Sequence, residues 1–352
     1  MPTATSPFRA IAVVGAGAVG SFFGALLARA GLPVTLIGRA PHVQAIARDG
    51  LELRMAGQVQ RIPVAASTEL DAVRGADLVL VCVKSDDTEA LARQLAPRLA
   101  ADATVLSLQN GVDNPALLAR HLRQTVVPAV VYVATALPAP GVVQHFGRGE
   151  LVIGALDAVP APDAPPDAIR DTILDATLGQ RLQAVVALFA AAGVPVQVVP
   201  DVVGALWTKL LVNCAYNAVS GLAQQPYGRM AALPEVVALQ QAVVREVVAV
   251  AAAEGRHLPL DEALAAVARI AETMPGQLSS TAQDMARGKP SEIEHLNGRV
   301  VRRGAALGVP TPANQALYAL VKLVEAGRAA QGAGSVAGPA ASPDDSARTQ
   351  SA

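Results

Sequence analysis

Lys209, Asn213 and Asn217 stand four residues apart in WTKLLVNCAYNAV, a spacing that stacks an ammonium and two amides on one face of a helix. Only four of the 28 basic residues are lysine (Lys84, Lys209, Lys289 and Lys322), so arginine does the routine surface work. A lysine in an apolar helix can give up a proton when desolvated, which a guanidinium in a protein cannot. The row suits a small oxygenated anion. The plainer alternative is an amphipathic helix with its polar face in solvent, but Trp207, Leu210, Leu211 and Val212 leave little room for that. Downstream, LSSTAQDMARGKPSEIEHLNG adds Ser280 and, twelve residues later, Glu292. Either could be plain capping, and Ser291 followed by Glu294 has the form of a capping box.

A second group of residues reads as a phosphate cradle. VVGAGAVG places Gly15, Gly17 and Gly20 after an expected strand and at the opening of an expected helix. Gly15 permits the tight turn, and Gly17 lets the backbone through Ala16, Ala18 and Val19 approach a pyrophosphate. Gly20 lets the helix pack closely on the sheet, with the phosphates at the helix N-terminus. After the second expected strand, LIGR puts Arg39 where a carboxylate would bind the ribose 2′-hydroxyl of NAD. A guanidinium suits a 2′-phosphate, so NADP(H) is the expected cofactor. Lys84, after LVLVCV, and Asn110, after VLSL, stand at two further strand ends, where open parallel sheets hold their ligands. A solvated lysine and an Asn-Gly turn are the simpler alternatives for these two.

The elements that must position these residues follow from pattern. Short apolar runs at Ala10–Val14, Val34–Ile37, Leu78–Val83 and Val105–Leu108 alternate with helical stretches, as in βαβ units of a largely parallel sheet. Runs at Val126–Val133, Val142–Gln144, Leu151–Ile153 and Val196–Val199 suggest that the sheet continues. After Pro200 the pattern turns helical, over Val202–Ala223, Glu235–Glu254, Asp261–Glu272, Ile293–Leu307 and Asn314–Ala326. The expected chain is α/β. An N-terminal Rossmann-type doubly wound sheet over 1–200 is followed by a C-terminal all-helical domain over 201–328 and a disordered tail over 329–352. Asp157–Asp167 is Pro-rich and reads as an exposed loop.

Composition narrows the function classes. The 352 residues carry 28 basic and 29 acidic side chains with no block of like charge, so neither nucleic acid nor an acidic membrane surface is an expected partner. The apolar stretch Ala10–Ala28 imitates a membrane span, but its close glycines and central turn argue against one. Cys82 and Cys214 lie far apart and the five histidines pair at no metal-ligand spacing, which points to a reducing cytoplasmic compartment and no metal. The expected partner is a small molecule, and the apolar helical half makes a homodimer plausible.

GAGAVG, the arginine after the second strand, VKSDD, LQNG, WTKLLVN with Asn217, SSTAQDMARGKPSEIEHLNG and GVPTPAN occur in this order. Together, over residues 10–326, they resemble the ketopantoate reductase family, the 2-dehydropantoate 2-reductases of pantothenate synthesis. The resemblance implies substrate in the cleft between the two domains. Lys209 matches the family's catalytic lysine, Asn213 and Asn217 its substrate-side amides, Ser280 its carboxylate-binding serine and Glu292 its substrate-orienting glutamate. Asn110 and Lys84 match residues near the nicotinamide and the cofactor. One position departs: Gln277 stands where the family often has asparagine, which bears on the shape of the substrate pocket. A reductase of another 2-keto or hydroxy acid, and a nonenzymatic NADP(H)-binding sensor, are the alternatives; a sensor has no need of Lys209, Asn213 and Asn217 on one face.

Overall fold

The computed structural model describes residues 8–156 and 176–334. The Pro-rich stretch expected as a loop, and the expected tail from 335 onward, lie outside the described residues. Among them, β1 (Ile11–Val14), β2 (Val34–Ile37), β6 (Leu78–Val81), β7 (Thr104–Ser107) and the start of β8 (Thr125–Ala139) pair in parallel in the order β2-β1-β6-β7-β8, with β5 (Ala65–Ser67) outside β2. Runs such as IAVV and LVLV are buried at every position because helices cover both faces of the sheet. On one face α1 (Ala18–Arg29) and α5 (Ala176–Ala191) pack with Leu36, Leu80 and Leu106. On the other, α3 (Thr88–Leu95) and α4 (Asn114–His121) pack with Val14, Val79 and Val105. The strand order reverses between β1 and β6, so the crevice for a ligand opens beyond the carboxyl end of β1.

Past β7 the sheet is mixed rather than parallel. β8 runs antiparallel to β9 (Val142–Ile153), and the hairpin of β3 (Leu51–Met55) and β4 (Gln58–Ile62) extends the β9 edge. β10 (Val196–Val198) also pairs with β9. The sequence shows only fragments of this ribbon, because QHFGRGE interrupts the apolar pattern where the ladder slips register. The β3–β4 hairpin escapes notice because LELRM and QVQRI carry polar residues on their open positions.

The helical half consists of α6 (Val202–Ala223), α7 (Tyr227–Ala231), α8 (Pro234–Ala253), α9 (Leu260–Thr273), α10 (Ser280–Ala286), α11 (Asn297–Leu307) and α12 (Pro312–Gly334). The expected helix from Ile293 begins as a 3₁₀ turn, Ile293–His295, before α11. The last helix runs on to Gly334, into the stretch expected as tail. Asp201 caps α6, its carboxylate accepting the Gly204 N–H at 2.7 Å. α6 is the central element, and Leu206, Trp207, Leu210 and Leu211 are buried in a core that also takes in Val112 and Val130 from the sheet half. α6 and α8 are long and apolar enough to cross a membrane, yet 61% of the apolar window of α6 is buried within the fold. The stretch from Ala10 to Ala28 folds as a strand, a turn and the opening of a 12-residue helix.

His42 of α2 (Ala40–Asp49) ties the first helices to the β8–β9 turn. Its Nδ1 accepts the Gly141 N–H at 2.9 Å, which leaves the ring hydrogen on Nε2, 3.0 Å from Ser21 Oγ. Burial holds its pKa below 6.5. The fold therefore favours the neutral ring: the stabilisation is full above the unfolded value and is lost as pH falls through the lower folded one. Between about pH 7 and about pH 5 the unfolding temperature should drop further in the unmodified chain than in His42→Gln. Equal drops in thermal melts would show that His42 does not contribute.

Candidate active site

The turn after β1 has the shape of a dinucleotide cradle. The N–H groups of Gly15 and Ala16 both donate to Ile37 O, at 3.0 and 2.9 Å, clamping the turn to the end of β2. Gly15 has φ +99°, and a Cβ there would lie 2.6 Å from Val83 N. At Gly20 a Cβ would run into Gly15 O and come within 3.0 Å of Val13 Cγ1, so α1 can sit this close to the sheet only with glycine. At Gly17 the nearest atom to such a Cβ is 4.0 Å away. No side chain caps α1, so the N–H groups of Ala18, Val19 and Gly20 face that open space, as an anion requires. Arg39 follows Gly38, which packs on Ala16, and is exposed, with no side-chain hydrogen bond or ion pair among the described residues. The groups present fit a dinucleotide.

A cleft of about 1170 Å³ runs from Gly17 between the strand ends and the helical half, and Lys84, Asn110, Lys209, Asn213, Asn217, Ser280 and Glu292 all line it. Lys209 Nζ donates to Val131 O at 2.6 Å and to Asn110 Oδ1 at 3.0 Å. Asn110 Nδ2 in turn donates to Glu292 Oε2 at 3.0 Å. The other carboxylate oxygen, Oε1, accepts from the backbone N–H and the hydroxyl of Ser85, at 3.3 and 3.2 Å. The Asn-Gly pair lies in a bend, with Gly111 at φ +88°, and Asn110 is also the bridge between lysine and glutamate. Burial pushes the Lys209 ammonium down to about 8; Glu292 pulls it back up and Arg148 pushes it further down.

Asn217, buried on the same helix, donates to Ser280 Oγ at 3.4 Å. Asn213 faces the cleft with no side-chain hydrogen bond among the described residues. Ser279, not Ser280, caps α10, accepting the Ala282 N–H at 3.0 Å, and Ser280 keeps an exposed hydroxyl at the cleft. The capping box expected of Ser291 and Glu294 does not form. Ser291 Oγ accepts from Ile293 N–H at 3.3 Å, while Glu294 turns to Tyr318, Lys322 and Arg302. The Lys84 ammonium is engaged with the helical half, donating to Asp284 Oδ2 at 2.9 Å and Pro290 O at 2.6 Å. Gln277 lines the cleft, its amide donating to Leu278 O at 2.7 Å. Ser85, Asp284 and Arg148 belong to this site and were missed by sequence reasoning. Ser85 and Asp284 lie inside the motifs VKSDD and SSTAQDMARG, where only their neighbours were singled out, and Arg148 carried its own signal, an arginine set between two glycines.

Residues 11–158 match the family described as ketopantoate reductase PanE/ApbA, and residues 201–325 match its C-terminal part. A 2-dehydropantoate 2-reductase of Halobacterium salinarum is 34% identical over 319 residues, covering 90% of this chain and 98% of that protein. The crystal structure of a PanE/ApbA family ketopantoate reductase from Ralstonia eutropha JMP134 is 51% identical with a TM-score of 0.79, covering 91% of this chain and 99% of that one. D-mandelate dehydrogenase, solved with NADH and anilino(oxo)acetate, shares the fold at a TM-score of 0.81 and 24% identity, over 91% of this chain and 99% of that one.

Because Glu292 raises the Lys209 pKa against burial, Glu292→Gln should move the ionisation of Lys209 below about 8. The pH dependence of Lys209 acylation, followed by peptide mass spectrometry, reads this directly. An unchanged midpoint would refute the coupling.

Proposed function

The chain belongs to the ketopantoate reductase family, and on that premise we propose that it reduces 2-dehydropantoate to pantoate with NADPH, in the cytoplasm, as a step of pantothenate and coenzyme A biosynthesis. In this reading the sheet half, 1–200, carries the cofactor and the helical half, 201–328, the substrate. The observation that carries it is the relay Glu292, Asn110, Lys209 in a cleft that starts at the glycine turn.

NADPH held at the glycine turn supplies the hydride for the substrate's C2. Two of the three Lys209 N–H donors are taken by Val131 O and Asn110 Oδ1, which leaves the third for the keto oxygen. Lys209 stabilises the growing alkoxide and gives it a proton as general acid, and a pKa of about 8 keeps it charged but ready to donate near neutral pH. Ser280, Asn217 and Asn213 hold the carboxylate end of the substrate, so that the reacting carbon is oriented before reaction. Glu292 Oε1 is taken up by the two bonds from Ser85, while Oε2 keeps a lone pair beyond its bond from Asn110 and so can accept from the 4-hydroxyl. Arg39 would hold the 2′-phosphate, for which a guanidinium is suited, and Lys84 keeps an N–H that could serve the cofactor beside its bonds to Asp284 and Pro290. A second reading, reduction of another 2-keto acid with an apolar side chain, is favoured by Leu258, Ala266 and Ile270 in the cleft wall, where Gln277 also changes the shape of the pocket.

The deciding assay is loss of NADPH absorbance with ketopantoate, run beside NADH and beside 2-ketoisovalerate, which lacks the hydroxymethyl group. Turnover confined to NADPH and ketopantoate is expected; cofactor binding without turnover on ketopantoate would overturn the assignment. Lys209→Ala should lose at least about a hundredfold in kcat while NADPH affinity stays the same. In the unmodified enzyme kcat/KM should fall as pH rises through about 8, where the ammonium deprotonates. Arg39→Ala should weaken NADPH by roughly tenfold and leave NADH unaffected in binding titrations.

A further inference from the structure

Arg148 has no role in the scheme above, yet it lines the same cleft as Lys209. It lies on β9 between Gly147 and Gly149 and has φ +60°, a left-handed conformation that costs a residue with a Cβ on the order of 1 kcal/mol. The β8–β9 register slips on either side of this point, between Tyr132 and Val133 and between Ala134 and Thr135. Such irregularities re-aim a side chain. Here the guanidinium lies 4.2 Å over the Tyr132 ring, and its Nε donates to Glu150 Oε1 at 2.7 Å. Tyr132 packs against the core of the helical half, on the side of the ribbon that meets α6. The stack and the ion pair therefore fix the cation at the cleft wall next to the strand whose Val131 carbonyl holds Lys209. Its Nη1 makes no hydrogen bond among the described residues, and the side chain is 36% exposed.

Charge balance says what this cation is for. Arg148 is paired with Glu150, and Lys209 is linked to Glu292 through Asn110. Two cations thus meet two carboxylates, and the neighbouring Lys84 and Asp284 cancel each other. Arg269, Arg287 and Glu262 line the cleft as well, but the charges that act on Lys209 are Glu292 and Arg148, so removing Arg148 makes the field beside Lys209 more negative and less favourable to an incoming carboxylate.

We propose that Arg148 sets the specificity of this cleft for an anionic carbonyl substrate, supplying the positive charge against which the carboxylate of a 2-keto acid settles beside Lys209. The proposal rests on the reading of the cleft as the site of a keto-acid reductase. It accounts for a strained backbone at a position where glycine would be relaxed, and for a guanidinium rather than an ammonium, since only the planar group stacks on Tyr132 while pairing with Glu150. The charge of Arg148 is also felt at Lys209, whose ionisation it pushes down.

The test compares an acid with its uncharged counterpart, ketopantoate with ketopantolactone, in the unmodified chain, Arg148→Met and Arg148→Lys. Methionine keeps the reach and the backbone demand and removes the charge. Arg148→Met should lose about tenfold in kcat/KM for the acid relative to the lactone, mainly through KM. Its alkaline pH limb should move above about 8, and Arg148→Lys should recover most of the acid-to-lactone ratio. Equal losses on acid and lactone, as a purely structural role predicts, or no loss on the acid, would overturn the proposal. Calorimetric titration of oxamate into the NADPH-loaded chain separates this from the substrate assignment and decides the matter if either compound is not turned over. Oxamate binding weakened about tenfold by Arg148→Met supports the charge role whatever the true keto acid. Binding equal in both proteins, or absent from the unmodified chain, refutes it.

Discussion

A desolvated ammonium is the constraint on which the rest of this structure depends. Lys209 sits in an apolar helix, and burial pushes its ammonium down to about 8. The charge of Glu292, beyond Asn110, pulls it back up, and Val131 O and Asn110 Oδ1 accept its hydrogen bonds. None of these partners comes from the helix that carries the lysine. Two belong to the sheet half, and the third to the segment after α10, so the site exists only when the halves are docked.

The docking is correspondingly polar at its rim and apolar at its centre. Val112 and Val130 join the helical core, while charged contacts join the two halves around it. Lys84 reaches Asp284, Asp86 meets His295 at 2.6 Å, and Arg299 holds Asp113 at 2.9 Å while lying 4.5 Å over Trp207. Most of these groups are partly solvated, and such pairs contribute modestly to stability, about 1 kcal/mol or less each. Their value is register: they set which strand-end loop faces which helix start. The glycine turn works on the same principle with backbone in place of charge, since Gly15 and Gly20 bring α1 close enough to β1 and β6 to aim its N-terminus into the cleft.

Much of this was legible in the sequence because it is local. The three glycines carry their spacing, strand and helix within one short stretch. Val202–Ala223 is an apolar run with a cap before it, and four-residue spacing is enough to put Lys209, Asn213 and Asn217 on one face. Val34–Ile37 reads correctly to the residue. The β8–β9 ribbon and the β3–β4 hairpin read poorly, because half-open strands carry polar residues and bulges that break the period.

The sequence by itself determined the parts: a glycine turn between a strand and a helix, an arginine at the end of β2, a lysine helix, and a helical half after 200. Only the tertiary structure decided how they meet. Asn110 and Glu292 are 182 positions apart, and Lys84 and Asp284 are 200 apart, separations over which no periodicity carries information. It was the fold that placed Glu292 in the cleft and sent Glu294 to Tyr318 and Lys322. It also turned Arg148 onto Tyr132. The physical reason is that helical and strand propensities act between near neighbours, whereas a buried charge finds its partners only once the chain has closed around it.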